Sequence, residues 1–357
     1  METNFTPPYK MIVGLDTLWV HVKYPDNELY HCWYEKVENQ PRHILQKGIP
    51  VDGFVVRLGG PAYDLSIWQG DARVLLSRFR QGDRPSGCGM GILVQLGPKF
   101  INEYQNDIQL GVLSLLRDIG LTGLYPMTVS RVDLRVDLLG FPVMRVSPNM
   151  LANQWVGRAK LRRTYSEGPI ITGYEIGVNQ SVVFLRIYDK VLKATEDGSL
   201  RYWYSVWGEK PSVVTRFEWQ VRSKKAGLPI NITNFQFFNS HSLAELGKYL
   251  LGWGRLVAAN PPESVKYRRS LHPLWVGLHQ AIDDYSQLPL HKLKRTPPSP
   301  NDAPNILKRL VEGHLSTGMA YTGLTLEEYV KTLDRDRMNE RAAYKAQLLK
   351  NGGIRKK

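Results

Sequence analysis

Three segments of the chain alternate residues that can do chemistry with residues that can only fill a core. They are Arg131-Val-Asp-Leu-Arg-Val-Asp137, Phe184-Leu-Arg-Ile-Tyr-Asp-Lys190 and Arg216-Phe-Glu-Trp-Gln-Val-Arg222. Successive side chains of a strand point to opposite faces. Read as strands, the first puts Arg131, Asp133, Arg135 and Asp137 on one face. The second puts Arg186, Tyr188 and Lys190 together, and the third Arg216, Glu218, Gln220 and Arg222. Stacked in one sheet, these faces collect carboxylates, a phenol and several cations. That set suits metal-assisted attack on a phosphodiester by a tyrosine.

Asp133 and Asp137 lie about 13 Å apart on a flat strand, so one ion cannot take both directly. A metal held by one of them and Glu218 needs only neighbouring strands, and hard oxygen ligands of this kind select Mg2+ or Mn2+. The competing reading is a ladder of Arg/Asp ion pairs, common on antiparallel sheets. A phenol with an ordinary pKa of about 10 is a poor nucleophile at neutral pH. Lys190 and Arg186, on the same face as Tyr188, are expected to favour its phenolate, and a metal can neutralise charge that builds on the phosphate. Tyrosine is also a residue type that any strand favours. The eight histidines include no His-apolar-His triplet, so the sequence holds no two-histidine metal motif. Gly87-Cys-Gly-Met-Gly91 lacks a following Gly-Lys-Ser/Thr and reads as a turn, not a phosphate loop. Any unwinding of DNA must therefore come from a partner.

The elements that must carry these residues follow from pattern. Strands are expected at Met11–Val22, at 51–58 and 62–68 as a hairpin, and at 91–96, 170–178, 182–188 and 213–221. Helical spacing predicts helices over 104–119 and over 148–161, the latter with a basic end at Arg158, Lys160, Arg162 and Arg163. Arg201-Tyr-Trp-Tyr-Ser-Val-Trp207 reads as a hairpin strand with core aromatics, against a base-stacking surface as the alternative. Beyond Ala226 the chain turns helical, at 242–251 and 271–285. Four prolines make 294–305 an extended linker. Charged helices follow at 305–315 and 325–349, the second opened by Thr325 and Glu328 at capping-box spacing. The fold class is α+β, a largely antiparallel curved sheet with packed helices followed by a helical C-terminal extension. The expected division is 10–225, 226–293, 294–305 and 306–357.

A chain of 357 residues suits one large domain and a smaller appendage. Lys plus Arg is 47 against 33 for Asp plus Glu, a net charge of +14 that points to a nucleic-acid partner. Cys32 and Cys88 form no zinc-type pair. The N-terminus lacks the apolar core of a signal peptide, and no apolar run reaches the ~20 residues of a membrane span. A cytoplasmic protein with no membrane partner is expected.

In order and spacing, the three strands resemble the replication initiation factor family, which includes rolling-circle initiators of plasmids and filamentous phages and related relaxases. The family's Arg-hydrophobic-Asp-Leu-x-x-Asp strand is matched by Arg131 to Asp137. Its glycine-bearing strand and Phe-x-Arg-Ile-Tyr-x-Lys are matched by Gly177 and by Phe184 to Lys190. Its Arg-hydrophobic-Glu is matched by Arg216-Phe-Glu218. The resemblance covers residues 10 to 225. It implies Tyr188 as the nicking nucleophile, Asp133, Asp137 and Glu218 as the acidic metal-binding set, and Arg186, Lys190 and Arg216 as groups that bind or polarise phosphate. Arg131, Arg135, Arg158, Lys160, Arg162, Arg163 and Arg222 join Arg216 as expected DNA contacts. The strand before Tyr188 is compact, Tyr174-Glu-Ile-Gly177, and departs from the family's Gly-Ser/Arg stretch; Tyr174 is a distant second candidate for the nucleophile. The activity implied is a site- and strand-specific endonuclease that nicks a replication origin, leaving a 5′-phosphotyrosyl link and a 3′-hydroxyl primer. Its partners would be origin duplex and single-stranded DNA, a host helicase and DNA polymerase, and, in a homodimer, a second copy. The rivals are a conjugative relaxase with the same chemistry and a non-catalytic DNA-binding regulator.

Overall fold

The computed structural model describes residues 9–24, 26–60, 62–79, 91–105, 107–123, 125–179, 181–222, 233–238, 240–259, 265–287 and 325–332. These belong to two compact units, one drawn from Met1–Leu121 and Pro126–Lys292, the other from Thr122–Tyr125 and Leu293–Lys357. The strands are β1 (Met11–Val22), β2 (Ile49–Val51), β3 (Phe54–Leu58), β4 (Leu65–Gln69), β5 (Ala72–Leu76), β6 (Ile92–Leu96), β7 (Met127–Leu139), β8 (Trp155–Gly157), β9 (Arg162–Glu167), β10 (Ile170–Ile176), β11 (Val183–Asp189), β12 (Val214–Arg222) and β13 (Gly254–Leu256). The helices are α1 (Glu28–Glu35), α2 (Arg42–Lys47), α3 (Pro98–Glu103), α4 (Ile108–Asp118), α5 (Pro148–Gln154), α6 (Lys190–Glu196), α7 (Leu200–Trp207), α8 (Ser240–Trp253), α9 (Pro273–Gln287) and α10 (Leu326–Thr332).

Eleven strands form one sheet in the order β2-β3-β4-β5-β6-β1-β7-β12-β11-β10-β9, and β13 pairs with β8 in a second, two-stranded sheet. Every neighbouring pair is antiparallel. The fold is thus α+β with a large antiparallel sheet. Period-two alternation decides what each face of its centre carries. Val132, Leu134, Val136 and Leu138 of β7, Phe217, Trp219 and Val221 of β12, and Leu185 and Ile187 of β11 form one apolar face, all buried. Trp275 of α9 closes that face, its ring centroid 6.2 Å from both Phe217 and Trp219 and 5.6 Å from Trp155. Its indole N–H donates to the Leu251 carbonyl at 3.2 Å, so the polar handle of the buried ring is satisfied. The opposite face of the same strands is polar, and α6 and α7 cover one end of it.

Several expectations are corrected. The segment 201–207 is helix α7, not a strand: Trp203 and Trp207 are four apart, a spacing that satisfies both periods, and both rings are buried. The helix expected over 148–161 ends at Gln154, because Trp155–Gly157 pair with Gly254–Leu256 as β8. Its basic end is therefore loop and edge strand. The helix expected over 104–119 is present but starts later, as α4 from Ile108, where the Asp107 carboxylate caps it by accepting from the Leu110 amide at 3.0 Å. The capping box holds: the Thr325 amide donates to Glu328 at 2.9 Å, opening α10. The segments 294–305 and 305–315, the chain beyond Thr332, Cys88 and most of 87–91 lie outside the described residues. Among the described residues no helix is long and apolar enough to cross a membrane.

Truncating Trp275 to alanine opens a cavity against three aromatic neighbours. We expect Trp275→Ala to cost about 3–5 kcal/mol, read as a lower midpoint in urea unfolding with unchanged slope.

Candidate active site

β7, β12 and β11 are adjacent, so register lines their polar residues up in rows. Asp137 sits opposite Arg216, which sits opposite Tyr188; Arg135 sits opposite Glu218, which sits opposite Arg186. Gln220 is opposite Asp133, and Arg222 opposite Arg131. The three motifs therefore share one face, as the alternation requires.

Asp137 anchors the first row and is fully buried. Arg216 donates to it through Nε at 2.6 Å and Nη2 at 2.8 Å, Arg135 through Nη1 at 2.7 Å, and the Trp207 indole N–H at 2.9 Å. Burial alone would raise this carboxyl, but the guanidiniums of Arg216 and Arg135 outweigh it and hold it at about 2. The third Arg216 nitrogen donates to Asp16. Trp203 stacks on both cations, 4.0 Å from Arg216 and 4.9 Å from Arg135. Gly14, opposite Arg135 on β1, is needed here: a Cβ would come within 3.0 Å of the Arg135 guanidinium.

Tyr188 donates from its hydroxyl to Glu218 at 2.7 Å, and Arg186 donates to the other Glu218 oxygen. Glu218 is fully buried, whereas the Arg186 side chain is 37% exposed. The expectation that flanking cations favour the phenolate is reversed. Burial, then the Glu218 charge, push the Tyr188 phenol well above its ordinary value, against a smaller opposing effect of Arg216. Lys190 opens α6 and is buried, its ammonium 4.3 Å from the Trp203 ring centroid; burial, then Arg216, lower it to about 8. Asp133 accepts from Arg131 Nε at 2.8 Å and is fully buried. Burial raises its carboxyl to about 7, helped by the nearby charges of Glu218 and Asp16.

Tyr174 faces the other way. It pairs with Ile187, lies in the apolar core, and its hydroxyl has no hydrogen-bond partner. It is removed as a second candidate nucleophile. Gly173 sits directly opposite Tyr188, and a Cβ there would press on the Tyr188 Cβ at 3.1 Å. Asp16 is the site residue that sequence reading missed. It is the extra residue of a bulge in β1, between the pairs Leu15–Leu134 and Thr17–Asp133, and a bulge re-aims its side chain.

The remaining expected DNA contacts lie toward the β9 edge. Arg158 and Lys160 are exposed in the loop before β9; Arg162 and Arg163 are exposed on β9 itself. Arg163 is 3.7 Å from Glu175. A cavity of about 600 Å3 opens beside the part of β1 that β6 does not pair, lined by Gly14, Gln109, Arg135 and Tyr202, and Tyr188 is not in its wall.

Every oxygen of Asp133, Asp137 and Glu218 already accepts a hydrogen bond from a guanidinium, an indole or the phenol. Among the described residues no three His, Cys, Asp or Glu side chains converge as a metal site. The ladder of ion pairs describes this arrangement, and the set as it stands does not fit a cation.

No family model and no curated protein matches the chain. Among solved structures, it is similar to a rolling circle replication initiator protein from Geobacillus stearothermophilus, with a TM-score of 0.47 at 16% identity over 79% of this chain and 99% of that one.

Removing one partner of a buried ion pair strands the other charge. Asp137→Ala is expected to destabilise by about 3–5 kcal/mol, measured by urea unfolding at neutral pH. Asp133 behaves oppositely. Its folded carboxyl, at about 7, keeps a proton that the unfolded chain releases near 3.9. That contribution is full below the unfolded value and lost as pH rises through the folded one. Asp133→Asn should therefore flatten the fall in stability between about pH 4 and 7, followed by thermal melting across that range.

Proposed function

We propose that the protein is a DNA strand-nicking enzyme of the rolling-circle initiation type, with Tyr188 as nucleophile. The observation that carries this reading is the Tyr188–Glu218 hydrogen bond, set in a row with Arg216 and beside the half-exposed Arg186. A phenol held this far above neutrality needs a proton acceptor in contact, and Glu218 is that acceptor. Arg186 and Arg216 supply fixed positive charge where the phosphate gains negative charge.

In the proposed step the Tyr188 oxygen attacks the phosphorus and the bond to the 3′-oxygen breaks. One proton moves from the phenol, by way of Glu218, to the leaving oxygen. The products are a 5′-phosphotyrosyl ester and a free 3′-hydroxyl, and the reverse reaction rejoins the strand. No step is assigned to a metal. The Mg2+ or Mn2+ expected from the acidic residues is tested by running the reaction in EDTA. The +14 charge and the exposed cations of Arg158 to Arg163 support DNA, duplex origin and single strand, as the partner. A relaxase would use the same residues on the same bond.

One observation favours a second reading, a DNA-binding regulator without chemistry: the phenol lies in a closed network whose carboxylate oxygens are all engaged. The two readings part on covalency. Wild-type protein incubated with a labelled cognate oligonucleotide should carry the label through a denaturing gel, and Tyr188→Phe should lose all of it while binding DNA within about twofold, because the hydroxyl it lacks is bonded to Glu218 and not spent on holding the strand. Mass spectrometry should find the nucleotide on Tyr188. Label on no tyrosine at all, with binding intact, selects the regulator.

A further inference from the structure

We infer a second phosphate site on the same face of the sheet, built by Arg131, Arg222 and Trp19, that holds a phosphodiester of single-stranded DNA away from the bond being cut. It rests on the nicking reading for the identity of the strand, and on its own geometry for the anion. Arg222 of β12 is directly opposite Arg131 of β7. Like charges directly opposite on a sheet repel, and this pair is not relieved symmetrically. Arg131 gives two donors to Asp133. Arg222 keeps a buried Nε with no hydrogen-bond partner, an arrangement that an acceptor would relieve.

Both guanidiniums lie against one indole. Arg131 is 4.7 Å and Arg222 5.5 Å from the Trp19 ring centroid. Trp19 is opposite Arg131 on β1, so three adjacent strands contribute to one spot. The two guanidiniums differ in what they have left to give: Arg131 spends Nε and Nη2 on Asp133, whereas the Nε of Arg222 is given to no acceptor. A guanidinium with no carboxylate of its own, directly opposite a second guanidinium, matches the charge and the oxygens of a phosphate. Carboxylate supply is short here, since Asp133 is already engaged and no other acid faces Arg222 in its row. The position along the sheet makes the ligand a strand instead of a free ion. Arg222 is six residues from Arg216 on β12, about 20 Å, so a phosphate here and one at Tyr188 belong to a single chain lying across this face.

The test compares wild type, Arg222→Gln and Arg222→Lys, each in a Tyr188→Phe background so that no bond is cut. Binding of a short single-stranded oligothymidine is measured against salt concentration. Losing one phosphate contact lowers the slope of log affinity against log salt by about 0.7 on a single strand. Arg222→Gln should show that loss and Arg222→Lys should keep the wild-type slope. Free of DNA, Arg222→Gln should melt at or above wild type, because the repulsion is gone. An unchanged slope in Arg222→Gln overturns the site, and so does a lowered melting temperature without a slope change, which makes Arg222 a structural cover for Trp19. Failure of the nicking reading is read separately, as absence of a covalent adduct in the parent protein, and leaves the slope measurement intact.

Discussion

The polar face depends on one buried pair, Asp137 with Arg216. It joins β7 to β12 through two hydrogen bonds, reaches β1 through Asp16, and fixes α7 through Trp207 and the stacked Trp203. Four elements, β1, β7, α7 and β12, thus meet on one carboxylate and one guanidinium. A fully buried pair of this kind survives because each Arg216 nitrogen donates and both Asp137 oxygens accept. Arg216 is also the residue directly opposite Tyr188. The packing that secures α7 and the electrostatics around the phenol are therefore the same interaction.

This arrangement sets a particular chemical problem. Tyr188 is more firmly protonated than a free phenol, and Glu218 is the group that accepts from it. The two arginines beside them, Arg186 and Arg216, are already committed to carboxylates. Arg186, the most exposed of these guanidiniums, is shared with Glu218 and leaves its own Nε without a partner. An arriving phosphate would compete with Glu218 for Arg186, and release of that contact would strengthen the carboxylate as a proton acceptor. In the proposed reaction, substrate binding and nucleophile activation would thus be coupled through one side chain.

Much of this was legible in the amino-acid order. Period-two alternation in β7, β11 and β12 reveals which residues share a face, and antiparallel pairing puts Asp137, Arg216 and Tyr188 in one row. What alternation cannot reveal is engagement. Asp137 and Glu218 look equivalent as acids in a strand, yet one is locked by two guanidiniums and an indole while the other receives the phenol. The indole, and the Trp203 ring that lies against both guanidiniums, come from α7, which was itself misread because tryptophans four apart fit a strand and a helix equally. Asp16 escaped notice for another reason: a bulge breaks the alternation at the residue that matters. The basic run at 158–163 looked like a helix end because the pairing partner of Trp155–Gly157 lies a hundred residues away, at Gly254–Leu256.

The bulge at Asp16 has a counterpart. Along the β1–β7 ladder, β1 carries an extra residue between Leu15 and Thr17, and β7 carries one, Ser130, between Val129 and Arg131. The two offsets cancel, so pairing beyond Trp19 returns to the frame it had before Leu15. Deleting Asp16 would leave Leu15 and Thr17 on their present partners in a regular ladder, and would remove the one carboxylate that β1 gives to Arg216. The extra residue of β1 therefore serves its side chain and not the register, and a shorter β1 would pair as well while leaving one Arg216 nitrogen without its acceptor.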